Sequence, residues 1–212
     1  MVFGLAGCGG EKKEAAGSKN PKEVTIYMGV VEQSAKVIAS EFEKYTGIKV
    51  NFVRMSGGET LSRIRAEKNN PQASVWYGGS ADSFIMAQKE GLLESYKSPN
   101  AEKIKPEFKD KDGYWTGIYQ GYLGFILDGR YFDEHHLQVP KSWDDLLKPE
   151  FTGQIVMGNP GTASTGYVVV SAITQSRGEE KGMEYLAKLN KQIKQYTKAG
   201  AAPARSAALG EA

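Results

Sequence analysis

The sequence predicts an α/β protein. Three features carry this: β-branched and aromatic runs of strand length, intervening runs with apolar residues at three- and four-residue steps, and short joints marked by glycine. Strand, helix and strand in close succession form the parallel βαβ pattern. Its repetition within about seventy residues fits a doubly wound sheet.

Val24–Met28 is the first strand, closed by Gly29. Val31, Ala35, Ile38, Phe42 and Tyr45 then mark one face of a helix, with Gly47 placed to end it. Ile48–Val53 is the second strand. Ser56-Gly57-Gly58-Glu59 opens a helix carrying Leu61 and Ile64, which ends near Asn69-Asn70-Pro71. Ala73–Tyr77 is the third strand, and Gly78-Gly79-Ser80 leads into a helix with Phe84, Ile85 and Ala87, closed by Gly91. Residues 95–113 are polar, with Pro99 and Pro106, and read as surface loop with short helical pieces.

Tyr114–Leu127 reads as two strands or one bent strand, the glycines permitting the bend, as expected of a chain crossing between lobes. Arg130–Leu137 and Ser142–Leu147 are short helices, the latter with Ser142 as N-cap. The strand Gln154–Met157 runs into Gly158-Asn159-Pro160-Gly161, which continues neither strand nor helix. A helix from about Thr162 to Gln175 follows, capped by Thr162 or Ser164, with Val168, Val169, Ala172 and Ile173 for its buried face. A helix over Gly182–Leu189, a strand over Ile193–Thr197 and an alanine-rich helix over Ala201–Leu209 complete the order. Gly210-Glu211-Ala212 offers no terminator, so the fold is expected to be incomplete at that end.

With 212 residues, 40% hydrophobic and 25% charged, the chain has length for one or two cores. A net charge of +2, with lysines interspersed among acids, gives no footprint for nucleic acid. The single cysteine, Cys8, rules out an intrachain disulfide and a cysteine-based zinc cluster. Leu5-Ala6-Gly7-Cys8 follows a short apolar start and resembles a bacterial lipoprotein signal, in which cleavage before the cysteine leaves it to be lipidated. No basic region precedes it and the apolar part is short, so the start reads as truncated. Gly9–Lys22 lacks apolar periodicity and reads as a tether, which implies a domain held outside a membrane.

The chemistry gathers at loops after strands. Ser56-Gly-Gly-Glu59 matches a capping box, a structural role needing no ligand. Gly57 and Gly58 would also expose amides beyond the second strand, as Gly79 and Ser80 would beyond the third, and the loop containing Glu32 follows the first. Ligands of open α/β sheets bind beyond the carboxyl ends of strands. Thr162, Ala163, Ser164 and Thr165 form a fourth such start, and helix N-termini attract anions through free N–H groups and the dipole. His135-His136 lacks metal-ligand spacing and reads as solvated surface. Asp144-Asp145 suits a helix dipole. No nucleophile elbow, Walker loop, zinc-protease helix or dinucleotide fingerprint is present, no base is paired with a nucleophile, and nothing demands a cofactor. Trp76, Tyr77, Tyr114, Trp115, Tyr119 and Tyr122 could line a cleft but are expected mostly in the core.

Val24-Thr-Ile-Tyr27, Phe52-Val-Arg-Met-Ser56-Gly-Gly-Glu59, Arg65-Ala-Glu-Lys-Asn-Asn-Pro71-Gln-Ala, Trp76-Tyr-Gly-Gly79, Asp112-Gly-Tyr-Trp-Thr-Gly117-Ile-Tyr, Pro140-Lys-Ser-Trp143 and Gln195-Tyr-Thr-Lys-Ala-Gly-Ala-Ala-Pro203 together resemble the family 1 extracellular solute-binding proteins, and more narrowly the ferric-iron-type binding proteins of ABC importers. The resemblance implies a two-lobed type II periplasmic-binding-protein fold, with residues 1–23 as signal remnant and tether, 24–118 in lobe I and 119–212 in lobe II, both lobes incomplete. It implies a monomeric, extracytoplasmic protein, lipid-anchored through Cys8 or periplasmic, that clamps a small solute and delivers it to an ABC permease. The hinge would lie near Ile118–Tyr122.

The ligand stays open at this level. Ferric-iron members use tyrosine oxygens, usually an adjacent pair, which the family carries after the segment matching Ala207–Ala212; no Tyr-Tyr pair occurs here. Several iron binders carry a histidine in the loop matching Gly29–Ser34, where Glu32 stands instead. Other relatives take phosphorylated sugars or phosphonates, for which Ser56, Gly57, Gly58, Ser80, Thr162, Ser164 and Thr165 would serve, while Glu59 would repel an anion unless turned into its capping box. Two rivals stand beside transport. An enzyme on a related fold would need an acid–base pair in the cleft, and a strongly raised pKa at Glu59 or Glu32 would support it. A surface adhesin or sensor is the other.

Overall fold

The computed structural model describes residues 22–211; Cys8 and nearly all of the tether expected before Val24 lie outside the described residues. The first half builds β1 (Glu23–Met28), α1 (Glu32–Thr46), β2 (Lys49–Arg54), α2 (Gly57–Ala66), β3 (Val75–Tyr77) and α3 (Ala81–Lys89). These strands form one parallel sheet in the order β2-β1-β3, with Ile26 opposite both Phe52 and Val75. The order follows from two crossover helices that leave β1 in the centre, where β-branched Val24, Thr25 and Ile26 suit a strand paired on both edges.

The second half contains α4 (Gly129–Glu134), β4 (Ile155–Gly158), α5 (Ser164–Arg177), α6 (Glu179–Asn190), β5 (Ile193–Thr197) and α7 (Ala202–Ala208). β4 and β5 pair in parallel, with an irregularity between Ile155 and Val156. Short 3-10 turns lie at Pro99–Ala101, Pro106–Phe108, Asp144–Leu147 and Pro149–Phe151.

Each sheet has its own core. Ile26, Met28, Ala35, Ala39 and Val50 fill the first; Leu146, Ile173, Tyr185 and Leu189 fill the second. Helix α1 rests on its sheet through the small residues Ala35 and Ala39 one turn apart, and Gly47 ends it in the left-handed conformation (φ 71°), its N–H donating to the Glu43 carbonyl. The expected helix face is only partly buried. Val31 precedes the helix and is half exposed, Phe42 is exposed, and Tyr45, in the last turn, is 91% exposed.

The strand expected over Tyr114–Leu127 does not form. Only an isolated antiparallel bridge, Lys109 with Thr116, is made, and Ile118, Tyr122 and Ile126 are exposed. Alternating apolar residues and glycines make a segment competent for a strand, but a strand exists only where a neighbour supplies its ladder. No described strand lies beside this segment. The aromatics also depart from expectation. Trp76, Tyr77, Tyr114 and Trp115 are half-buried around a cavity of about 1480 Å³, and Tyr119 and Tyr122 are exposed. Aliphatic and small side chains have taken most of the two cores.

Candidate functional site

In a parallel sheet every strand ends on the same edge. Here those edges carry Gly29, Ser56-Gly57-Gly58 and Gly78-Gly79-Ser80 in the first sheet, and Asn159–Ser164 and Lys198 in the second. The two edges meet. The Gly58 N–H donates to the Thr162 carbonyl at 3.2 Å, and the Lys198 ammonium lies 2.6 Å from the Glu59 carboxylate.

Glycine is what allows the approach. A Cβ on Gly58 would lie 2.5 Å from the Gly161 carbonyl oxygen, and one on Gly57 would overlap the Ser164 hydroxyl. The position of that absent Gly57 methyl is 3.5 Å from the Ser83 hydroxyl, and a Gly79 methyl would come within 3.9 Å of Ser164 Oγ. Gly57, Gly79, Ser83 and Ser164 therefore converge. Within this region the hydroxyls of Ser80 and Ser164 are buried without a hydrogen-bond partner. Most buried hydroxyls have one, so two such groups at adjoining helix starts form a concentration of unused donors.

The helix starts explain why. The sequence expected Thr162 or Ser164 to cap α5, but Ala163 holds the cap position without any side-chain bond. The turn is already satisfied by Asn159: its carbonyl accepts from the Thr162 and Ala163 amides, and its Oδ1 accepts from the Gly161 amide at 2.8 Å. The Thr162 hydroxyl instead donates to the Lys198 carbonyl at 3.1 Å, which ties this turn to the end of β5. Thr165 is exposed, with its hydroxyl against the Gly200 backbone.

Glu59 sits in the first turn of α2. It accepts from the Ser56 amide at 3.2 Å, the side-chain half of the capping box, and also from the Ser56 hydroxyl at 2.7 Å. The Lys198 ammonium and then the Ser56 hydroxyl hold its carboxyl down at about 2. Glu32 is the first residue of α1; it pairs along that helix with Lys36 at 2.7 Å and makes none of the cross-sheet bonds. Its carboxyl is also lowered, chiefly by Lys36. A raised carboxyl at Glu59 or Glu32 would support an acid–base enzyme, and both are lowered.

Lys198 joins the site from outside the residues expected from sequence. It directly follows β5, so the carboxyl-end rule that selected the other loops would have found it. His135 and His136 are exposed, with His135 Nδ1 bonded to the Tyr131 carbonyl of its own helix. Among the described residues no cluster of three His, Cys, Asp or Glu side chains is suited to a metal ion, and no helix is long and apolar enough to cross a membrane.

Residues 70–211 match the family of bacterial extracellular solute-binding proteins. An uncharacterized protein of Haemophilus influenzae is 34% identical over 203 residues, covering 93% of this chain and 59% of its own length. A putative 2-aminoethylphosphonate-binding periplasmic protein of Salmonella typhimurium is 33% identical over 150 residues, covering 70% of this chain and 42% of its own. Among solved structures, the periplasmic binding protein AfuA from Actinobacillus pleuropneumoniae, with fructose-6-phosphate bound, superposes with a TM-score of 0.86 at 38% identity over 89% of this chain and 61% of that one. Iron-bound HitA from Pseudomonas aeruginosa gives 0.72 at 24% identity over 90% and 61%, a likeness of fold alone. The chain thus spans about three fifths or less of the length of these relatives. It belongs to the bacterial extracellular solute-binding proteins and has their two-lobed type II periplasmic-binding-protein fold.

Proposed function

We propose that this protein captures a phosphorylated organic solute between its two lobes, outside the membrane, and delivers it to an ABC permease. The observation that carries this is the pair of buried, unpartnered hydroxyls of Ser80 and Ser164 beside the Gly57 and Gly79 backbone. A phosphate or phosphonate offers oxygens in several directions, which convergent hydroxyl and amide donors can satisfy together. Helix starts add partial positive charge, and the one carboxylate among them, Glu59, is paired with Lys198.

Ferric iron asks for different chemistry. Hard Fe(III) favours several anionic oxygens, whereas the groups meeting here are neutral donors and one carboxylate already bonded to Lys198. The similarities lean the same way. The structure with a sugar phosphate bound and the relative named for a phosphonate are 38% and 33% identical, and the iron-bound structure is 24% identical.

In this reading Ser56 and Glu59 shape the start of α2, Gly57, Gly58, Gly79 and Ser80 form one jaw, and Thr162, Ala163, Ser164 and Thr165 form the other. Residues 24–118 and 119–212 supply the two lobes, the exposed Ile118–Tyr122 segment is the hinge, and a lipidated Cys8 is the anchor. Closure is favoured by solute because contacts to both lobes exist only when closed.

Thermal-shift measurements with fructose 6-phosphate, 2-aminoethylphosphonate and Fe(III) citrate test the proposal. An organophosphorus solute should raise the melting temperature by mass action. A rise with Fe(III) alone, accompanied by a tyrosinate–iron absorption band, would replace it with iron transport.

A further inference from the structure

Glu59 is turned back toward Ser56, yet it stays ionised and so keeps its charge beside any anion held at these helix starts. It lies one residue beyond Gly58, in the same first helical turn, and only 26% of its side chain is exposed. A carboxylate so placed repels a phosphate across a partly desolvated gap. Repulsion between two unit charges a few ångströms apart there is enough to change affinity about tenfold.

Lys198 answers that charge from the other sheet. Its ammonium reaches Glu59 at 2.6 Å while its own backbone carbonyl accepts the Thr162 hydroxyl at 3.1 Å. One residue therefore touches both opposed helix starts, α2 through its side chain and α5 through its main chain. The Lys198 side chain is itself 76% exposed. An exposed cation of this kind adds little as a latch between the halves, because water screens it and ordering it costs entropy. Its larger effect is on the less exposed partner, whose charge it offsets. Glu59 stays ionised across the neutral range, so the need for compensation is permanent rather than pH-dependent.

We infer that Lys198 is a specificity-determining residue that admits anions by neutralising Glu59, without itself being the anion's ligand. This rests on the phosphorylated-solute reading above. The pair makes the site's charge balance adjustable. Glu59 with Lys198 accepts an anion, whereas Glu59 without Lys198 turns the same amides and hydroxyls toward a neutral or cationic headgroup.

Calorimetric titration of the 212-residue chain with inorganic phosphate and fructose 6-phosphate, at low and high salt, tests this through a cycle of Lys198→Met, Glu59→Gln and the double variant. Lys198→Met should weaken both probes about tenfold at low salt and less at high salt. The double variant should recover binding to within a few-fold of the unaltered chain, and Lys198→Arg should bind like it; circular dichroism of each variant confirms folding. Equal binding by Lys198→Met and the unaltered chain would overturn the inference. So would a double variant as weak as Lys198→Met, since lysine would then be contacting the anion directly. If the unaltered chain binds neither probe, the phosphorylated-solute reading falls and this inference falls with it; if it binds them and the cycle shows no coupling, only the role of Lys198 falls.

Discussion

The Gly58 amide and the Thr162 carbonyl form a 3.2 Å hydrogen bond between chain segments over a hundred residues apart, one at the start of α2 and one at the turn before α5. Glycine at position 58 lets two main chains approach to this distance, and the Gly161 carbonyl occupies the space a side chain would need. Gly58→Ala should therefore force main-chain movement. The expected cost is about 1–3 kcal/mol in thermal stability, the usual range for overpacking, with weaker solute binding in the same variant. A wild-type melting curve for Gly58→Ala would show that the two edges are not in contact in solution.

Gly57→Ala should behave differently, because the obstacle there is the Ser164 hydroxyl rather than main chain. Combining Gly57→Ala with Ser164→Ala should recover most of the stability lost by Gly57→Ala alone. A double-mutant cycle read by urea denaturation checks this, and strictly additive effects would place the two residues out of contact.

Stability should fall at both pH extremes for identifiable reasons. Glu59 goes from an ordinary 4.5 to about 2 in the folded chain through Lys198 and Ser56, so its contribution is present above about pH 4.5 and lost as pH falls toward 2. Asp145 is lowered in the same direction, first by Lys148 and then by the Lys141 amide and the Ser142 hydroxyl. Burial pushes Tyr185 up to about 12, so the folded chain loses stability as pH rises from about 10 through 12. Glu59→Gln should flatten the acid limb by about 1 kcal/mol after screening, and Tyr185→Phe should flatten the alkaline limb. Melting temperatures across pH 2–12 check both, and unchanged limbs would contradict these assignments.

Tyr185→Phe also tests the second core at neutral pH. The buried Tyr185 hydroxyl donates to the Trp143 carbonyl, and the Arg177 guanidinium lies 4.3 Å from its ring centre while pairing with Asp144 at 3.0 Å. Losing the hydroxyl should cost about 1 kcal/mol, since a main-chain acceptor loses its partner. Chemical denaturation measures it, and a neutral effect would mean that water reaches the Trp143 carbonyl.

Much of this was legible in the chain itself. Period-two and period-3.6 patterns give the parallel sheet of Val24–Met28, Ile48–Val53 and Ala73–Tyr77 closely, because those segments pair with one another and need no other context. Tyr114–Leu127 reads as strand by the same criterion but forms none, because ladder partners are a tertiary matter that local alternation does not encode. At α5 the hydroxyls of Thr162 and Ser164 invite a cap, yet Asn159 satisfies the turn and leaves Ser164 unpartnered. Local propensity is a weak guide where a second local solution exists. Lys198 is legible by its position just after β5, but its pairing is not: Glu59 starts a helix beside the other sheet, and no sequence pattern links an acid and a base so far apart.

The central claim is that Ser80 and Ser164 are donors held for an anion. Their removal should therefore separate stability from affinity. Neither hydroxyl has a partner to lose, so Ser80→Ala with Ser164→Ala should leave the melting temperature unchanged or raise it. The same change should weaken fructose 6-phosphate by about 1–3 kcal/mol per donor removed, measured by isothermal titration calorimetry. Equal affinity in the two proteins, or a loss of stability without a loss of affinity, would contradict the assignment.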